Sequence, residues 1–495
     1  MSKLNRDVLY LVFEELQDSL RFLFSCLMVN KLWCETVIPI LWRKPWYHTI
    51  YYNYSKRNSI YSVITSYLSN DVKEFLSEKG IKISDKSLAF DYLSFCRSID
   101  IRIIDHIISI GSPSKYNRFL LQEEIYSFLI RKCPEIKYLN IRGTYDLVYQ
   151  SEAKVRLESL CELTCDTSID PKYFYRLAHI CQRIQRIAII NNNLEVNHGA
   201  TVLIEFQKNL KYFKLEDDFG DENFYIDLLK DPYTEIFRII TKHANTLNCF
   251  EISLQFDYGY HIDYYDIYDD YDYTFLQYSI LKLHNLKILE LDSPIFLNNN
   301  DFNKKLEMVS YNNLEIFDIK KIDIYQATCI IKKSSSLREL WILDYCWGYN
   351  RFNDDTLNFI CTICENCSLI EYLTFPVFPL LESHFVEFGK LLKNCQKLRS
   401  LHFRETYYEE GNEFDFGKRL LNVLIKEASV NLREIKVPYD IRFSLKTLES
   451  FFEKWKGRPA ISILIDEPYF YQRDDSYKKL ISKYKAEGVI SYINI

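Results

Sequence analysis

Three cysteines spaced Cys361-x-x-Cys364-x-x-Cys367 carry the most metal-like pattern in the chain. A structural zinc site needs about four thiolate or imidazole ligands converging tetrahedrally. The nearest histidine in sequence is His384, and no second Cys-x-x-Cys pairs with this one. On a helix the three positions share one face, so packed core cysteines are the expectation and a metal enzyme the alternative. No metal or cofactor is assigned. The sequence also has no Gly-x-Ser-x-Gly elbow, no phosphate-binding glycine loop and no His-Glu-x-x-His pair. Acid pairs such as Asp217-Asp218, Asp354-Asp355 and Asp474-Asp475 read as solvated loop residues. No catalytic residue is therefore assigned, and a non-catalytic role is expected.

One segment departs from the rest in composition. Across residues 257–273, six aspartates and seven tyrosines alternate. A solvated insert explains this, and so does a recognition loop for a basic partner, because Tyr offers contact area and Asp attracts cations. Elsewhere the 62 basic and 68 acidic residues nearly cancel over 495 residues, leaving a formal charge of −6. With no long basic block, neither nucleic acid nor an anionic membrane is an expected partner. No stretch approaches the roughly 18–20 uninterrupted apolar residues of a membrane helix. The charged start, Met-Ser-Lys-Leu-Asn-Arg-Asp, is unlike a signal peptide, so a cytoplasmic or nuclear location is expected. The 14 cysteines are then expected to be small buried hydrophobes, not disulfides.

The elements that would position a binding site begin at the N-terminus. Leu4, Val8, Leu9, Val12 and Leu16 fall at helical spacing, and Asn5 or Asp7 can cap the first turn. A second apolar run covers Leu20, Leu23, Phe24, Leu27, Met28 and Val29. A third leads from Trp33 to Leu41-Trp42. These predict three short helices, too small to bury a robust core alone. The order Leu4, Val8, Leu9, Val12, Leu16, Leu27, Val29, Lys31, Trp33, Leu41, Trp42 resembles the F-box family, with Asn5 standing where that family usually has proline. The match covers residues 2–46. The resemblance implies docking to a Skp-type adaptor, and through it to a cullin. It makes Leu4, Asn5, Val8, Leu9, Val12, Leu16, Val29 and Trp33 the adaptor-binding candidates, as contacts or as their direct support.

Beyond residue 130 an apolar-x-x-apolar-x-apolar unit recurs, starting at Ile136, Leu160, Ile184, Leu210, Leu247, Leu286, Leu314, Leu337, Ile370, Leu398 and Leu432. A weaker unit starts at Ala460. A strand and helix of this size cannot bury its apolar side alone, so stacked units are predicted. The pattern resembles the leucine-rich repeats often found behind F-boxes. Cys133, Cys181, Cys367 and Cys395 each lie three residues before a unit, at the crowded end of a preceding helix.

The expected fold is α/β: an F-box over 1–46, a helical connector or degenerate capping repeats over 47–130, and an irregular leucine-rich-repeat array with a curved parallel sheet and outer helices over 131–495. Residues between the inward-pointing positions would face a target protein. Tyr212, Lys214, Ile288, Glu290, Glu339, Trp341, Tyr372 and His402 are the substrate-binding candidates. Together these readings describe the substrate receptor of an SCF-type ubiquitin ligase. The alternative is a repeat scaffold outside any ligase.

Overall fold

The computed structural model describes residues 5–17, 19–46, 54–112, 114–142, 146–192, 197–219, 233–255, 274–292, 300–320, 322–342, 354–377, 381–405, 413–439, 441–466 and 468–495. Leu4 and the Asp/Tyr-rich segment 257–273 lie outside these residues. Two compact units are present: Met1–Tyr212 with Glu216–Pro232, and Phe213–Leu215 with Tyr233–Ile495.

The first unit opens with α1 (Arg6–Glu15), α2 (Leu20–Cys26) and α3 (Lys31–Leu41), the three helices the spacing predicts. Asn5 occupies the cap position of α1, but its side chain makes no capping bond. Asn30 does cap α3, accepting from the Trp33 amide at 3.0 Å. A small core of Leu9, Phe13, Leu23, Val37, Ile40 and Leu41 joins the three helices. Then follow α4 (Tyr54–Ser66), α5 (Asn70–Glu78), β1 (Ser98–Asp100), α6 (Ile101–Ile108), α7 (Lys115–Lys132), β2 (Tyr138–Ile141), α8 (Ala153–Leu157), β3 (Glu162–Asp166), α9 (Pro171–Ile180), β4 (Arg186–Asn191) and α10 (His198–Glu205). Strands β1 to β4 pair in parallel, each with the next. The parallel sheet therefore begins at Ser98. Cys96, Ile99 and Ile101 carry the repeat spacing there, disguised because Cys replaces Leu and because Asp100 caps α6 at once.

Strand β5 (Tyr212–Asp217) lies where the two units divide. The second unit runs α11 (Thr234–Ile240), β6 (Cys249–Ser253), α12 (Thr274–Lys282), β7 (Ile288–Asp292), α13 (Asn300–Leu306), β8 (Ile316–Ile319), α14 (Ile324–Ile331), β9 (Glu339–Ile342), α15 (Asp354–Asn366), β10 (Tyr372–Val377), α16 (Glu382–Asn394), β11 (Ser400–Glu405), α17 (Glu413–Glu427), β12 (Glu434–Val437), α18 (Leu445–Trp455), β13 (Ile461–Ile465), α19 (Tyr469–Gln472), α20 (Asp475–Ala486) and β14 (Ile490–Ile493). Strands β6 to β14 again pair in parallel and in chain order. A parallel neighbour requires a crossover, and the intervening helices supply it. Both units thus have the α/β architecture of leucine-rich repeats.

Every repeat start read from the sequence leads into a strand two residues later, from β2 to β12, and the weaker unit becomes β13. The pattern positions form the core: Leu289, Phe317 and Leu340 are fully buried, while their strand neighbours stay half-exposed. Each such side chain contributes about 1.5–3 kcal/mol by leaving water. Phenylalanines tie helices to strands, as where Phe375 meets Phe359 at 6.1 Å and Phe388 at 5.6 Å between ring centroids. Close backbone packing also selects residue type: a β-carbon on Gly199 would come within 2.4 Å of the Pro171 carbonyl oxygen.

No helix among the described residues is long and apolar enough to cross a membrane.

Candidate functional sites

The three N-terminal helices have two dissimilar sides. One side is built into the first repeats. Arg43, just after α3, donates to both carboxylate oxygens of Glu14, at 3.0 and 2.5 Å, and to the Tyr10 hydroxyl at 2.8 Å. The guanidinium holds the Glu14 carboxyl below its usual value. The Arg43 carbonyl accepts from the Arg97 amide at 3.0 Å. Trp46 is fully buried, and its indole N–H donates to the Ser98 carbonyl on β1 at 2.7 Å. Trp42 packs on Tyr92, with ring centroids 4.5 Å apart. The helices therefore close the open edge of the repeat core. Only Trp42 among these contacts was singled out by the sequence, because a cap contact leaves no periodic signal.

The other side exposes apolar residues. Val8, Leu11 and Val12 lie on one face of α1 at i, i+3 and i+4, and Leu11 is 66% exposed. Phe22 on α2, Met28 and Val29 in the following turn, and Leu32 at the start of α3 are exposed as well, Met28 to 87%. The adaptor-binding candidates separate accordingly. Val8, Val12 and Val29 are outside; Asn5 is exposed at the α1 cap. Leu9 is buried in the three-helix core, and Leu16 and Trp33 pack against it, with Trp33 edge-on to Phe13 at 5.2 Å. Those three can support a contact surface but Leu9 cannot form one. Leu11, Phe22 and Met28 belong to the exposed set and are additional to the candidates.

A second candidate surface is the half-exposed side of the repeat strands. In the first unit several of its charged groups are engaged by neighbours. Glu162 pairs with Arg186 at 3.7 Å, and the Arg186 guanidinium lies 3.7 Å from the centre of the Tyr212 ring. Asn140 donates to Asp100 at 3.0 Å, and Lys44 sits 3.3 Å over the Tyr138 ring. Further along, a buried polar group links Thr167, Asn191 and Asp217 at 2.9 Å each, so Asp217 is a buried strand residue and not the solvated loop residue expected.

In the second unit, the strand register sets Glu251 beside Glu290 and Glu290 beside Asp318. Asp318 in turn lies beside Trp341. Burial, with the Glu251 and Asp318 charges, pushes the Glu290 carboxyl above its ordinary value, against a smaller opposing pull from Lys214. Burial likewise raises Asp318, opposed by Lys320 and then reinforced by Asp292. Trp341 stacks on Tyr372 at 6.2 Å and meets His402 edge-on at 5.6 Å. The Trp341 indole donates to Glu339 at 3.3 Å. His402 contacts Glu434 at 2.9 Å, and Lys436 pairs with Asp466 at 3.0 Å. Ile288 lies next to Ile316 along the same face. The structure thus gathers Glu290, Glu339, Trp341, Tyr372 and His402 on one strand face of the second unit. Lys214 acts on Glu290 there, while Tyr212 is engaged with Arg186.

The cysteines at the helix ends are structural in their geometry. Cys133, Cys181 and Cys395 cap α7, α9 and α16, and Cys367 follows α15; all four are fully buried. The Cys181 thiol reaches the Leu157 carbonyl at 3.2 Å, and the Cys395 thiol the Cys367 carbonyl at 3.6 Å. Burial pushes Cys181, Cys367 and Cys395 each up to about 12, which keeps them as unreactive thiols at neutral pH. Cys361 and Cys364, expected in the core beside Cys367, are instead half-exposed, and Cys364 accepts from Asn394 at 3.1 Å. Among the described residues no group of three or more His, Cys, Asp or Glu side chains converges as a metal site.

No family model matches this chain, and no curated protein matches it. Among solved structures, the crystal structure of the Rad7 and Elc1 complex in yeast is similar over 94% of this chain and 96% of that one. The identity is 12% and the TM-score 0.40. A likeness at that level assigns no role to any residue of this chain.

Proposed function

We propose that this protein is the substrate-recognition subunit of an SCF-type ubiquitin ligase, and that it is not itself catalytic. Its N-terminal helices bind a Skp-type adaptor, and through it a cullin; its repeats hold the target protein. The observation that supports this reading is the exposed apolar side of the helices: Val8, Leu11, Val12, Phe22, Met28 and Val29 remain in water although a complete core lies beneath them. Apolar side chains concentrated in this way on a small module favour a protein partner. The resemblance of residues 2–46 to an F-box supplies the kind of partner.

Co-expression of the full chain with a Skp-type adaptor tests this. The wild-type chain is expected to co-purify with the adaptor, and a Val12→Asp plus Met28→Asp variant to purify alone while staying folded. Failure of the wild type to retain the adaptor overturns the reading. The second reading, a repeat scaffold outside any ligase, draws on the Trp46–Ser98 and Arg43–Glu14 contacts, which give the helices a purely structural task as a cap. It predicts that neither protein captures the adaptor.

A further inference from the structure

We propose that the strand face of the second unit, centred on Glu290, Asp318 and Trp341, binds a basic protein segment through arginine or lysine side chains. The inference rests on the reading of the repeats as the target-binding part, and is independent of the adaptor.

The first argument is electrostatic. Like charges directly opposite on neighbouring strands repel. Glu290 and Asp318 are such a pair, with Glu251 beside them, and strands at a spacing of about 4.8 Å leave the carboxylates little separation. Both are half-buried, and among the described residues neither takes a hydrogen bond or an ion pair. The cations in the neighbourhood do not close the gap. Lys320 is engaged with Asp292, while Lys214 pulls on Glu290 and Arg404 on Asp318 through their charge, with no ion pair to either of these two carboxylates among the described residues. A cation brought by a partner would convert this repulsion into two charge-assisted bonds, and a guanidinium suits two adjacent carboxylates.

The second argument concerns the adjoining rings. Trp341 follows Asp318 in register, and the Trp341–Tyr372 stack presents half-exposed aromatic area. Aromatic faces attract guanidinium and ammonium groups, and tryptophan does so best. Thr374, two residues beyond Tyr372 on β10, is only 2% exposed, and its hydroxyl has no hydrogen-bond partner among the described residues. It pairs in register with His402, whose ring meets Trp341, so a polar group without a partner lies at the aromatic end of the acidic row. Beyond the rings, Glu434 is in contact with His402, and Asp466 is paired with Lys436. In the first unit the corresponding strand face pairs Glu162 with Arg186, and Asp100 accepts a hydrogen bond from the Asn140 amide. The uncompensated negative charge is therefore localised, and it adjoins the platform that favours a cation.

The test uses the full-length chain and a fluorescent peptide of alternating Arg and Gly, with a Glu-Gly peptide as its counterpart. Binding of the Arg peptide alone is expected, weakening with added salt. Glu290→Gln with Asp318→Asn is expected to lower its affinity about tenfold or more. Trp341→Ala is expected to weaken it as well, and Trp341→Phe to restore part of the loss. Glu162→Gln, on the strand face of the first unit, is expected to leave it unchanged. Circular dichroism and thermal melting establish that each variant is folded. Absence of Arg-peptide binding to the wild type, or equal loss with Glu162→Gln, overturns the proposal. Adaptor capture is measured on the same variants: the Glu290→Gln/Asp318→Asn chain should retain it, and the Val12→Asp/Met28→Asp chain should retain the peptide. The two readings can therefore fail separately.

Discussion

The N-terminal helices and the repeat strands of the second unit treat the same raw material differently. Both are written in apolar residues at regular spacing. In the repeats, each patterned side chain is covered by the next element, and Leu289, Phe317, Leu340, Leu401 and Ile435 leave almost no surface to water. In the helices, Leu9, Phe13 and Leu23 are covered, while Leu11, Val12, Phe22 and Met28 are not. The repeats are complete as they stand. The helices are complete only on the side that meets β1. Apolar periodicity therefore reports where an element is, but burial decides whether its apolar residues serve the fold or a partner.

Substitutions can break this contrast, beginning with the largest expected effect. Phe317→Ala empties a fully buried site in the repeat core and should cost about 3–5 kcal/mol, read as a lowered midpoint in chemical denaturation. Leu9→Ala should cost about 2–4 kcal/mol, with hydrogen exchange accelerating in the N-terminal helices first. Such a variant would lose adaptor capture through unfolding, so it cannot serve to map contacts.

Arg43→Ala removes a largely shielded pair and should cost about 1–2 kcal/mol. Its pH dependence has a definite sign. Because Arg43 holds the Glu14 carboxyl below its unfolded value, the stabilisation is fully present above that unfolded value. It is lost as pH falls through the lowered folded value, and Arg43→Ala should flatten that acid limb. Glu290 and Asp318 behave in the opposite sense. Their folded values are raised, so the cost of ionising them is absent below the unfolded carboxylate value and grows as pH rises through the folded one. Glu290→Gln should therefore stabilise the free chain at neutral pH by about 0.5 kcal/mol, with the gain disappearing in acid.

The sequence reveals much of the fold because one spacing rule governs it. The Leu-x-x-Leu-x-Leu units predict β2 to β12 and the weak unit predicts β13, since in β2 to β12 every burial position but Cys165 is a large aliphatic or aromatic residue. The rule fails at the two ends for identifiable reasons. At β1, Cys96 stands in the first position and Ile101 already begins a helix. At β14, the register shifts between Ile461 and Ser462, so Ser491 and Tyr492 are both exposed and the alternation is lost.

The candidate sites are less legible. Outward positions such as Glu290, Trp341, Tyr372 and His402 follow from strand alternation, but which charges remain uncompensated depends on register between strands far apart in sequence. Arg43 with Glu14, and Trp46 with Ser98, are non-periodic contacts that only the folded chain brings together. Leu9 and Val12 are equivalent in the motif, whereas the structure buries one and exposes the other.

The smallest expected stability effect carries the largest functional one. Val12→Asp with Met28→Asp changes only exposed positions and should shift stability by no more than about 0.5 kcal/mol at each site. Calorimetric titration of a purified Skp-type adaptor into the full-length chain is the most direct test of the receptor role. The account predicts saturable one-to-one binding to the wild type and none to the doubly substituted chain at an unchanged melting temperature. Equal binding by the two chains, or no binding by the wild type, would contradict it.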